Sequence, residues 1–177
     1  MKRALLPAVV FALLVVVLFI GVQRAPEKTV IPSALLGKPA PAFTLPILGS
    51  DQVFAESSMR GRWYLLNVWG TWCPECRNEH EMLLEIARSE RVPLIGLNWK
   101  DDDAAAQSWL SQLGDPYAVV AVDHDGDVAI DWGVYGAPET FLVDAAGTVI
   151  YKHVGPITPE VWAREFLSRL PASGSRS

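Results

Sequence analysis

The chain has 177 residues, half of them hydrophobic and 20% charged, a balance that excludes an intrinsically disordered protein. Its net charge of −5 is uneven: Lys2, Arg3, Arg24 and Lys28 stand against Glu27 in the first 36 residues, leaving 11 basic and 19 acidic groups in residues 37–177. An acidic domain is a poor partner for nucleic-acid phosphates, and two cysteines three positions apart, Cys73 and Cys76, close too short a loop to staple a fold.

From Ala4 to Val22 no side chain is charged. As a helix this run spans roughly 28 Å, close to the hydrocarbon thickness of a bilayer. Lys2 and Arg3 precede it as in the basic region of an export signal, but Val22-Gln23-Arg24-Ala25-Pro26 is a poor cleavage site. Residues 1–22 therefore read as an uncleaved transmembrane signal anchor. Lys and Arg counts tie at its two ends, and the terminal amine tips the orientation toward an N-in topology. Residues 23–36, with Pro26 and Pro32, read as a linker, residues 37–170 as one domain, and residues 171–177 as a small polar tail.

Within the domain, β-rich apolar runs appear at Phe43–Leu48, Trp63–Trp69, Val92–Trp99, Tyr117–Val122, Thr140–Asp144 and Val149–Val154. Tyr64–Trp69 is nearly continuously apolar, as a central strand covered on both faces requires. Helical patterns alternate with the strands over Pro74–Glu90, Asp103–Leu113 and Pro159–Leu170, the last with Thr158 placed as its N-cap. Ala145-Ala146-Gly147 turns a hairpin. This order predicts an α/β fold, a mixed sheet between helices.

Cys73-Pro74-Glu75-Cys76 follows the central strand and opens a helix, the context of a thioredoxin-like redox motif. At a helix start, free amides and the macrodipole stabilise a Cys73 thiolate, the species that attacks a disulfide. Cys76, one turn further in, is expected to be the more buried, resolving thiol. Pro74 suits the first helical turn, where its missing donor costs nothing. A zinc site needs two more ligands, and His80, His124 and His153 show no second paired spacing. A copper-delivery site would need the two cysteines and one histidine, for which strand residue His153 is the candidate. No metal or cofactor is expected.

Asn67-Val-Trp-Gly-Thr-Trp-Cys-Pro-Glu-Cys76, with Glu79-His80 after it, and Gly133-Val-Tyr-Gly-Ala-Pro-Glu-Thr-Phe-Leu-Val-Asp144 carry a resemblance to a known family. Gly37-Lys38-Pro39-Ala40-Pro41 and Asn98–Asp102 add to it. The chain resembles the membrane-anchored thiol:disulfide interchange proteins of cytochrome c maturation, the DsbE/CcmG type. That resemblance implies a thioredoxin-like domain behind one N-terminal transmembrane helix, facing the periplasm from the bacterial inner membrane. It implies a thiol-disulfide oxidoreductase that reduces apocytochrome c or a maturation thiol protein and is re-reduced by a membrane electron donor. A general periplasmic thiol reductase with another client and a copper-delivery protein are the alternative functions.

By the same resemblance Pro138 is a cis-proline facing the redox disulfide, presenting the Ala137 backbone to an incoming strand. Trp72, Tyr135, Ala137, Pro138 and Glu139 are then expected to form the substrate groove. Six residues before the first cysteine, thioredoxin has a buried acid; here Asn67 stands instead and cannot take a proton. Glu79, at i+3 from Cys76, is the expected proton acceptor, with His80 as competitor. Glu75, Glu79 and Glu139 are expected to place negative charge around the dithiol and oppose thiolate formation, which favours reducing work. Asp123-His124-Asp125-Gly126-Asp127 starts like a calcium loop, but Val134 stands where the bidentate Glu is needed, so a turn is expected. Asp101-Asp102-Asp103 reads as helix capping.

Overall fold

The computed structural model describes residues 2–23 and 33–171. The linker positions 24–32 and the tail from residue 172 lie outside the described residues. The chain divides into two units, 1–31 and 32–177. In the first, α1 (Lys2–Gln23) is helical with Pro7 in its opening turns. Its described side chains, Pro7 and residues 10–20, are all exposed. Among the described residues no helix is long and apolar enough to cross a membrane.

The second unit is built on a five-stranded sheet. Its strands are β3 (Tyr64–Trp69), β4 (Leu94–Trp99), β5 (Val119–Asp123), β6 (Glu139–Val143) and β7 (Val149–Val154), in the order β5-β4-β3-β6-β7. β3, β4 and β5 run parallel; β6 and β7 are antiparallel. α2 (Pro74–Arg88) and α3 (Asp103–Leu113) make the two parallel crossovers. A separate antiparallel pair, β1 (Thr44–Pro46) and β2 (Val53–Ala55), reaches the main sheet through one bridge from Ile47 to Ala121. The first expected strand thus shrinks to three residues and leaves the main sheet, and β2 was not anticipated.

The pleat of β3 explains the two cores. Leu65 and Trp69 join the cluster that contains Leu83 and Ile86 of α2 and Leu110 of α3. Tyr64, Leu66 and Val68 join the opposite cluster with Phe54, Trp132 and Phe141. Every residue of β3 is buried, as its nearly continuous apolar run requires, and Asn67, its one amide side chain, is buried with the rest. Two details differ from expectation. The Asp123–Asp127 turn opens into a short helix, α4 (Asp127–Asp131), because the buried Asp123 carboxylate accepts from the amides of Gly126 and Ala129. The C-terminal helix is one α-turn, α5 (Pro159–Val161), continuing as a π-helical turn over Trp162–Leu167. The wider turn accompanies stacking of Trp162 on Phe166, with ring centroids 5.8 Å apart.

Candidate active site

The site begins where β3 ends. Gly70–Trp72 carry the chain to Cys73, which is the N-cap of α2 and is joined to Cys76 by a disulfide. Both cysteines are 3% exposed, so the expected difference in burial is corrected: in the oxidised form both sulfurs pack into the same cluster. What distinguishes them is hydrogen bonding. Cys73 Sγ accepts from the backbone N–H of Cys76 at 3.1 Å, a helix-start amide that stabilises the Cys73 thiolate after reduction. Glu75, exposed in the first turn of α2, accepts from Asn78 and adds negative charge at the same helix start.

Glu79 lies on the buried face of α2 with Cys76, His80 and Leu83. It is 1% exposed. Its Oε1 accepts from Asn67 Nδ2 at 2.9 Å, and its Oε2 from the Ile157 backbone N–H at 2.8 Å. Asn67 Nδ2 also donates to Thr140 Oγ1, across the β3–β6 pairing, and the Tyr117 hydroxyl donates to Asn67 Oδ1 at 2.8 Å. Tyr117 thereby fixes which end of the amide faces Glu79. Burial raises the Glu79 pKa, and the two hydrogen bonds pull it back, leaving it at about 7. Burial, with Glu79 nearby, pushes the Tyr117 phenol well above its ordinary range, so Tyr117 acts as a donor. His80 is turned elsewhere: its Nε2 donates to the Gly114 carbonyl at 2.9 Å and its ring stands edge-on to Trp109.

The groove residues divide. Trp72 (49% exposed) and Tyr135 (54%) are surface aromatics, Ala137 is half-buried, Pro138 is buried, and the Ala137–Pro138 bond is cis. Glu139 does not line a surface. It is 0% exposed and forms an ion pair with Lys152 Nζ at 2.8 Å, while accepting from the Tyr135 amide. Strand β6 starts at Glu139, so the pleat sends its side chain to the Phe141 face, opposite Thr140 and the Glu79 network. Glu139 therefore does not join Glu75 and Glu79 around the dithiol. Burial raises its pKa despite Lys152.

Lys152 was not expected from the sequence. Its Nζ donates to the Gly133 carbonyl at 2.8 Å and sits 4.6 Å from the Tyr135 ring centroid. The pair braces the 133–139 loop from inside and supports the exposed Tyr135 ring. The signal available was a lysine inside a mostly apolar strand, the one that pairs with β6. His153, the copper candidate, instead has Nε2 on the Pro156 carbonyl at 3.3 Å and its ring against Phe166. Among the described residues no three His, Cys, Asp or Glu side chains gather as a metal set.

Trp72 folds back over Gly70. Its Nε1 donates to the Trp99 carbonyl at 3.1 Å, and a Cβ on Gly70 would overlap the Trp72 indole nitrogen. Gly70→Ala is expected to expel the indole and to slow mixed-disulfide formation with a protein disulfide several-fold, with little change for a small disulfide. Stopped-flow measurement with both oxidants checks this; equal slowing of both would place the defect at Cys73 instead.

The Redoxin family model matches residues 35–166 of the chain. The thiol:disulfide interchange protein DsbE of Allochromatium vinosum is 50% identical over 165 residues, covering 93% of this chain and 90% of that one. The protein of the same name from Escherichia coli K12 is 42% identical over 169 residues, covering 93% and 91%. A solved structure described as a thiol:disulfide interchange protein DsbE from Chlorobium tepidum is 27% identical, with a TM-score of 0.68, over 77% of this chain and 98% of that one.

Proposed function

We propose a physiological role on one premise: the chain belongs to the Redoxin family, among its DsbE-type thiol:disulfide interchange proteins, and is a thiol-disulfide oxidoreductase with a thioredoxin-like fold. It works as a membrane-anchored periplasmic reductant in cytochrome c assembly, acting on apocytochrome c or on a maturation thiol protein. The observation that carries the reductive direction is Glu79, a buried carboxyl on the Cys76 face of α2 with a pKa near 7. With Glu75 at the helix start, it disfavours extra negative charge on the dithiol, which leaves the reduced form a ready electron source. The client class is supported by the likeness of segments 67–76 and 133–144 to the cytochrome c maturation family. The anchor is supported by the uncharged run Ala4–Val22 and the exposed apolar side chains Val10–Ile20.

In the reaction, Cys73 thiolate attacks one sulfur of the client disulfide. A Cys73–client bond forms and the other client sulfur leaves as thiolate. Cys76 then passes its proton to Glu79 and attacks Cys73 Sγ. The Cys73–Cys76 disulfide forms, the second client sulfur leaves, and two electrons have moved to the client. Trp72, Tyr135 and the Ala137 backbone receive the client strand, Pro138 shapes that edge, and Glu139 holds the loop from within. A dithiol donor in the membrane restores the reduced state.

Trapping tests this reading. Cys76→Ser stalls the reaction at the first step, and the captured partners are expected to include a c-type apocytochrome or a maturation thiol protein. A periplasm-only reporter fused after Ser177 is expected to be active. Capture confined to unrelated clients would replace the cytochrome assignment with a general reductase, and an active cytoplasm-only reporter would overturn the compartment.

A further inference from the structure

The three aspartates at the start of α3 do different work. Asp102 is the N-cap, accepting from the Ala105 amide at 2.9 Å. Asp103 reaches His124. Asp101 does not cap the helix. Its Oδ2 accepts from the Thr71 backbone N–H at 2.7 Å and from Asn98 Nδ2 at 2.9 Å; its Oδ1 accepts from the Thr71 hydroxyl at 2.6 Å and the Asp102 amide at 3.0 Å. Thr71 is two residues before Cys73. One carboxylate thus ties the loop that delivers the nucleophile to the end of β4.

The turn that aims this carboxylate is specialised. Lys100 has φ of 48°, a left-handed conformation that a residue with a Cβ adopts only when its surroundings enforce it. The Trp99 carbonyl, one residue earlier, takes the Trp72 indole N–H. Both residues that precede Cys73 are therefore held by residues 99–101. Burial alone would raise the Asp101 pKa, but the hydrogen bonds from Thr71, Asn98 and Asp102 outweigh it and hold the carboxyl below its ordinary range. It is ionised throughout the working range and holds charge-assisted bonds.

We propose that Asp101 is a positioning residue of the redox site: by gripping the amide and hydroxyl of Thr71, its carboxylate keeps Cys73 Sγ in line with the Cys76 amide and so sets the reactivity of the nucleophile. The 3.1 Å contact from Cys76 N to Cys73 Sγ depends on where the loop leaves Cys73. Slack at Thr71 lengthens that contact and withdraws the helix-start stabilisation from the thiolate. A charge-only role predicts the opposite sign, since removing a nearby carboxylate would favour the thiolate. The two are separable by experiment.

The test follows the pH dependence of Cys73 alkylation by iodoacetamide in the full-length Cys76→Ser chain. Asp101→Ala is expected to shift the Cys73 titration upward and slow alkylation at pH 7 about fivefold. Thr71→Val, which keeps the carboxylate and loses one bond, is expected to shift it in the same direction, by about twofold in rate. Thr71→Ser restores the hydroxyl and should titrate like the parent. Asp102→Ala, which removes only the α3 cap, should lower the melting temperature without moving the titration. Faster alkylation in Asp101→Ala, or an unmoved profile in both Asp101→Ala and Thr71→Val, overturns the proposal. Should Asp101→Ala fail to fold, the Thr71→Val and Thr71→Ser pair decides alone.

Discussion

Glu79→Gln is expected to leave the attack of Cys73 on a client disulfide nearly unchanged and to slow release of the mixed disulfide about a hundredfold, the scale on which a positioned general base contributes. The side chain keeps its shape and loses its base. With a pKa near 7, Glu79 supports release progressively as pH rises from 6 to 8, so the parent's release rate should climb and then level off across that window, while the variant's slower rate should keep rising with the Cys76 thiolate fraction and show no levelling there. His80→Gln should leave release as it is, because the His80 ring is anchored on the Gly114 carbonyl and edge-on to Trp109, while Glu79 is the residue tied into the Asn67 and Ile157 network. Rapid-quench trapping of the mixed disulfide reads both steps. Accumulation in His80→Gln with parent-like Glu79→Gln would transfer the role to the histidine. Stability offers a second readout. The folded pKa is above its unfolded value, so the native state binds the extra proton between about pH 4.5 and 7. The stabilisation is fully present below pH 4.5 and is lost as pH rises through 7, on the order of 3 kcal/mol for that shift. Urea unfolding of Glu79→Gln should lack this decline.

The redox half of the site was legible because it is local. A Cys-x-x-Cys placed between an apolar strand and an amphipathic helix fixes the N-cap, the first turn and the face of Cys76 without tertiary information. Glu79 followed from helical spacing, and α3 appeared with the bounds the pattern gave, Asp103–Leu113. Glu139 shows where local reading stopped. Starting the strand at Thr140 left Glu139 in the loop beside Pro138; starting it one residue earlier, as the structure does, turns the side chain to the other face of the sheet. Lys152 lies 13 residues away, and only pairing of β6 with β7 brings the two charges together. Asp101 was hidden for a similar reason. Three consecutive acids at a helix start all look like caps, and which one turns back depends on the left-handed Lys100 and on Thr71, thirty residues upstream. The burial of Cys73 also escaped the sequence, since helix-start position predicts hydrogen bonding better than exposure.

Lys152→Met is expected to destabilise the domain at pH 7 by about 3–5 kcal/mol, the cost of leaving one partner of a buried pair charged and alone. Methionine keeps much of the apolar stem, so lost packing is a small share. What remains is a carboxylate with 0% exposure beneath the 133–139 loop, deprived of its cation. Its pKa, already raised by burial with Lys152 present, must rise further. The sign of the pH dependence follows. Glu139 in the variant is protonated more readily when folded than when unfolded, so the deficit is largest above its folded pKa and shrinks as pH falls toward the unfolded value. Urea unfolding at pH 7.5 and 5 should show the variant recovering relative to the parent. Adding Glu139→Gln removes the stranded charge and should restore most of the loss at pH 7.5, so the double variant is more stable than Lys152→Met alone. The same contacts predict a local effect: Lys152 Nζ supports the Tyr135 ring and the Gly133 carbonyl, so hydrogen exchange in 133–137 should accelerate in Lys152→Met. A variant within about 0.5 kcal/mol of the parent at pH 7.5, with unchanged exchange in the loop, would mean that Glu139 is already protonated in the native protein and that the pair carries no charge.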